Sequence, residues 1–156
     1  MTATSVWEAE RVVTYTDIHI DTRVAGAGAT LGEHVFVRTL GGAVGSVGQS
    51  VEGEAVFTVG RPSLVFLTPA RVLGPSGGAP AFAPGVYAVT GRAQGQFPVV
   101  QDAHGQLAVR RSSGIGASMI PRGAPEQELA QDALHGRTVE EAKQRVSDAW
   151  VRFHDP

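Results

Sequence analysis

Apolar and polar positions alternate along residues 10–24. Thr16, Ile18, Ile20, Thr22 and Val24 fall on one side at period two, and Tyr15, Asp17, His19, Asp21 and Arg23 on the other. That alternation predicts a half-buried strand whose second face meets water. Residues 34–40 repeat it, with Val35, Val37 and Thr39 opposite Phe36, Arg38 and Leu40. Residues 63–68 are apolar at almost every position, which predicts a central strand covered on both faces. Residues 51–57, 85–90, 96–100 and 106–110 read as further short strands. A hairpin turn at residues 102–105 leads into the last of these.

Glycine and proline punctuate the rest. Residues 25–32 form a small-residue turn, and 41–48 a loop or a strand broken by bulges. Residues 69–84, rich in Pro, Gly and Ala, read as a loop. Residues 112–137 read as a linker carrying a short helix over 126–134. The period then changes to 3.6. Val139, Ala142, Val146, Ala149, Trp150 and Phe153 share one face of a helix over 138–154. Thr138, with Glu141 three residues on, predicts its capping box. That stripe serves either to pack the helix onto the β domain or to dock a partner.

Composition narrows the class. A chain of 156 residues is long enough for one core without staples. Aromatic residues make up 6%, so Val, Leu, Ile and Ala must fill the interior. The net charge is -2, and Arg110-Arg111 is the only adjacent basic pair, which argues against nucleic acid as the partner. No cysteine is present, which removes disulfides, thiolate chemistry and Cys-based zinc sites. No apolar run approaches the length of a membrane span.

Candidate chemistry is sparse. Asp17, His19 and Asp21 line one strand face and offer three metal-capable side chains, although such alternation ordinarily marks a solvated face. The glycines of residues 26–32 have the wrong spacing for a dinucleotide loop, and a strand pattern follows them rather than a helix. The five histidines fall in no His-Glu-x-x-His arrangement. No cofactor is implied. Gln49, Gln94 and Gln96 lie near glycines, where a side-chain amide reaches peptide groups. They serve either as internal clamps or as recognition groups on loops. With Gly42, Gly45 and Arg92 they form the expected ligand- or partner-binding set.

The residues Leu40-Gly-Gly-x-Val-Gly-x-x-Gly-Gln-x-Val-x-Gly-Glu54, then Phe57-x-x-Gly60, Val65-Phe-Leu67 and Tyr87-x-Val-x-Gly-x-Ala-Gln-Gly-x-Phe97, carry a resemblance. Over residues 7–100 the chain resembles a group of uncharacterised bacterial exported proteins. Their layout is similar to OB-like barrels of the netrin and tissue-inhibitor-of-metalloproteinase type. The resemblance implies a five- or six-stranded antiparallel barrel with a peripheral helix, in the neighbourhood of secreted proteases. Relatives would carry a leader and one more apolar strand before the position of Trp7, so a barrel edge is expected to be left unpaired. A leader upstream of Met1 would mean export, and otherwise the chain is cytoplasmic. The N-terminal cysteine of such inhibitors is absent, so their mode of inhibition is not available here.

The expectation is a mainly β protein: an OB-like barrel over residues 1–111, a linker over 112–137 and a helix over 138–154 packed on the barrel. Its expected role is a non-enzymatic protein-binding module that regulates or inhibits a secreted protease. The alternatives are a metal or small-ligand site at Asp17, His19 and Asp21, or an accessory structural protein.

Overall fold

The structure is a computed structural model that describes residues 2–27, 32–72, 81–115 and 129–154. It is mainly β. The strands are β1 (Ala3–Glu8), β2 (Arg11–His19), β3 (His34–Leu40), β4 (Gly42–Val44), β5 (Val47–Gln49), β6 (Ser63–Val65), β7 (Leu67–Val72), β8 (Ala81–Val89), β9 (Gln96–Gln101) and β10 (Leu107–Val109). Among the described residues two α-helices follow, α1 (Ala130–Leu134) and α2 (Val139–His154). A five-stranded sheet runs β1-β2-β3-β8-β7, a three-stranded sheet runs β10-β9-β6, and β4-β5 is a separate hairpin. No closed barrel is found among the described residues. The sheets are not wholly antiparallel either, because β3 and β8 run parallel, Val37 opposite Tyr87.

The alternation in residues 10–24 produces β2, although the strand stops at His19. Val12, Thr16 and Ile18 face the main core beside Val35 and Val37 of β3. The opposite face is not wholly wet: Val13 is fully buried there too. Each fully buried valine contributes about 1.5–3 kcal/mol, which is why this strand anchors the sheet.

Several expectations need correction. The sequence reading begins only at residue 10 and misses β1, whose exposed Trp7 and half-exposed Val6 weaken the alternation. Residues 51–57 form no strand, for reasons given below. The apolar run 63–68 is not one strand. It divides at Phe66 between β6, which pairs with β9, and β7, which pairs with β8. Residues 69–84 are not simply a loop, since β7 extends to Val72 and β8 begins at Ala81; residues 73–80 lie outside the described residues. Local composition hid this hairpin, because Pro69 is tolerated at a sheet edge.

The short helix expected within residues 112–137 is present as α1, and residues 129–137 pack onto the β domain. Leu134 of α1 is buried with Phe97, Val109 and Ala142. Val109 donates to Arg137 O at 2.9 Å, and Gly136 donates to Val109 O at 2.9 Å. Residues 116–128 lie outside the described residues. The capping box of α2 is present: Glu141 N–H donates to Thr138 Oγ1 at 3.2 Å, and Thr138 N–H donates to Glu141 Oε2 at 2.9 Å. The helix packs through its first half. Ala142 is fully buried, whereas Trp150 is 42% and Phe153 78% exposed.

Candidate functional site

Two core clusters hold the fold. One is Val35, Val37, Ala55 and Val89, flanked by partly buried Ile18, Ile20, Phe57, Leu67 and Tyr87. The other is Phe97, Val109, Leu134 and Ala142, flanked by partly buried Leu64, Phe66, Val99, Val139 and Val146. All five flanking residues of each cluster line one groove of about 1520 Å³. The groove is therefore the seam between two half-cores. Protein interiors normally close such seams to crystal-like density, and an apolar seam this size is the candidate site.

The chain builds its walls from three places. The bent strand β6–β7 runs along it through Leu64, Phe66 and Leu67. The segment after β2 forms a second wall, where a side chain on Gly26 would touch the Trp150 indole. The third is α2, with Val139, Lys143, Val146 and Trp150. Trp150 is held by stacking on His154, ring centroids 3.6 Å apart and nearly parallel. Among the described lining residues the fixed charges are Arg23, Arg61, Lys143 and Asp21. Lys143 also pairs with Glu140 at 2.8 Å.

The glutamines separate. Gln96 is fully buried and clamps both backbone groups of one residue: Val56 N–H donates to its Oε1 at 3.0 Å, and its Nε2 donates to Val56 O at 2.6 Å. Ser112 Oγ adds a longer bond to the same Oε1. Ala93 N–H donates to Gly53 O, and Leu40 N–H to the Glu54 carboxylate. These bonds take the place of a strand ladder and explain why residues 51–57 are irregular. They also deliver Phe57 to the groove. Gln49 acts as a clamp as well, its Oε1 accepting from Val12 N–H at 2.7 Å. Only Gln94, exposed beside Gly91, lines the groove.

The remaining members of the expected set lie elsewhere. Gly42 sits where a side chain would collide with the hydroxyls of Ser5 and Thr14, so β4 lies flat on β1 and β2. Gly45, at φ 60°, begins the two-residue turn of the β4–β5 hairpin. Arg92 is exposed, left-handed at φ 57°, and outside the groove lining.

Asp17, His19 and Asp21 do not converge on one point. His19 Nδ1 meets Asp21 Oδ1 at 2.9 Å, while Asp17 Oδ1 meets His34 Nδ1 at 2.8 Å across the β2–β3 pair. The two imidazoles are edge-on, centroids 5.2 Å apart. Among the described residues no group of three metal-capable side chains is placed to hold an ion.

One polar cluster escaped the sequence reading. Glu8, at the end of β1, accepts from Tyr15 Oη at 2.7 Å and from Arg38 Nε at 3.0 Å, with a further short contact to Arg38 Nη2. Burial, reinforced by the Glu8 carboxylate, raises the Tyr15 pKa above its ordinary 10.0. Burial opposes the Arg38 charge, but Glu8 outweighs it and the guanidinium pKa is raised. The register that sets Tyr15 beside Arg38 was the missing signal.

Comparison of the chain with family models, curated proteins and solved structures finds no match.

Proposed function

We propose that this protein is a non-enzymatic binding module whose working surface is the seam groove, and that a segment of a partner protein occupies it. One observation carries the reading: every partly buried hydrophobic residue flanking both core clusters opens onto the same groove. A cavity of about 1520 Å³ exceeds the roughly 300–1,000 Å³ of small-molecule sites, which favours a chain segment over a single small ligand. Control of a secreted protease, and export itself, extend this proposal on the strength of the resemblance alone.

An open, OB-like arrangement belongs to the same proposal. Its support is the strand order. A three-stranded meander, β1-β2-β3, is extended by the β7–β8 hairpin, whose second strand pairs parallel with β3. Five strands in a partly open Greek-key barrel characterise that fold. Full closure would require β7 to meet β1.

The test is titration of the native protein with the dye anilinonaphthalene sulfonate, read by the dye's own fluorescence and by energy transfer from tryptophan. Saturable binding is expected. Trp150→Arg should reduce the transfer, because Trp7 remains as a donor, and Leu67→Arg should abolish dye binding itself, each in a protein that still melts cooperatively. Dye binding that is absent, or undiminished in folded Leu67→Arg, would refute the groove as the working surface.

A further inference from the structure

The groove has a backbone wall as well as side chains. Phe66 N–H donates to Gly95 O at 2.9 Å, Thr90 N–H donates to Phe66 O at 2.8 Å, and Val99 N–H donates to Pro62 O at 2.9 Å. Residues 62 and 66 thus direct their peptide groups toward β8, β9 and the corner between them. Strand alternation then directs the peptide groups of Ser63, Val65 and Leu67 the other way. Pro69, next in that alternation and lacking an N–H, fits on the same unbonded side. Among the described residues β6 and β7 are both edge strands, each with one neighbour. Residues 63–67 all line the groove. An open edge running beside an apolar trough is the geometry of strand addition.

The charges select the occupant. Arg23, Arg61 and Lys143 line the groove with one carboxylate, Asp21, and Lys143 is paired with Glu140 at 2.8 Å, so Arg23 and Arg61 carry the excess. That local excess of positive charge lies on a chain whose net charge is -2. We propose that the groove takes an extended, acidic peptide with alternating apolar side chains, which adds as a strand to the edge at Ser63, Val65 and Leu67. Apolar side chains at every second position fall into the seam, while acidic ones meet Arg23 and Arg61. This rests on the groove being the working surface and goes further by naming the partner's chemistry and its mode of attachment.

The probe is the capped hexapeptide Val-Glu-Val-Glu-Val-Glu, titrated into the native protein by calorimetry and by displacement of the bound dye. It should bind saturably, and at least tenfold more tightly than Val-Lys-Val-Lys-Val-Lys. Backbone N-methylation of the peptide at alternate residues should weaken binding at least tenfold in one phase and little in the other, because only one phase faces the edge. Val65→Pro, which removes an outward N–H and no internal bond, should weaken the peptide tenfold and leave dye binding unchanged. N-methylation on the wild-type protein decides the question if that variant does not fold. Peptide binding indifferent to methylation in both phases would overturn strand addition and leave the groove reading intact. Dye binding with no peptide binding would do the same. If neither dye nor peptide binds, the groove reading falls and this proposal with it.

Discussion

The side-chain amide of Gln96 satisfies both backbone polar groups of Val56, accepting from its N–H and donating to its C=O. Gln96 is 1% exposed, whereas Val56 is 65% exposed. Removing the amide takes away both bonds, at about 0.5–1.5 kcal/mol each. Gln96→Ala should lower stability by about that amount in urea denaturation. It should also release residues 53–57, seen as faster amide exchange at Val56. Gln49→Ala, which removes a single bond from a half-buried position, should cost less. Equal effects would mean that the Gln96 clamp is not what holds the segment.

The Glu8–Arg38 pair is enclosed, with side-chain exposures of 6% and 18%. Deleting one partner leaves the other charge buried and uncompensated, a loss of about 3–5 kcal/mol. Glu8→Ala should therefore be strongly destabilising. The double variant Glu8→Ala, Arg38→Met should recover much of that loss. A double variant as unstable as the sum of its parts would show that the two charges act separately.

Tyr15 carries a pH signature. Its folded pKa is raised above 10.0, so the neutral phenol is favoured by the fold. The contribution is fully present below pH 10 and is lost as pH rises through the folded pKa. Ultraviolet difference titration should show a phenol ionising above the ordinary range. Tyr15→Phe should remove that transition and flatten the alkaline loss of stability.

At the other end of the scale stands Glu141, which is fully exposed. Hydrogen bonds from Thr138 N–H, and then from its hydroxyl, hold the Glu141 carboxyl below its ordinary 4.5. A depressed acid stabilises the folded state above its unfolded pKa and loses that contribution as pH falls through the folded value. The cap should be complete at neutral pH and weaken below about pH 4.5. The stability gap between wild type and Glu141→Gln should narrow on acidification. A gap that widens would contradict the cap.

Ala9 and Arg92 occupy the left-handed region at φ 54° and 57°. That conformation costs an L-residue about 1–2 kcal/mol, offset in glycine by roughly 0.5–1 kcal/mol of backbone entropy. Ala9→Gly and Arg92→Gly should each raise stability by about 0.5–1 kcal/mol, from the difference between these costs. Thermal melts check this, and because Arg92 lies outside the groove its variant should bind the dye normally.

Local pattern by itself determined β3, whose bounds match the sequence reading, and the capped start of α2, whose Thr138 and Glu141 are three residues apart. Each of these depends on neighbours within one strand or one helical turn. The clamp role was open for Gln49, Gln94 and Gln96 alike, and only their surroundings separated them. The break at Phe66 was not legible, because an apolar run looks the same whether it serves one sheet or passes between two. The groove was not legible either. Its lining comes from residues 18–27, 57–68, 87–99 and 129–150, which meet only when two sheets and a helix pack together. Short-range periodicity records which side of an element is apolar. Tertiary packing decided which apolar sides close on each other, and among the described residues it left a seam between two half-cores open.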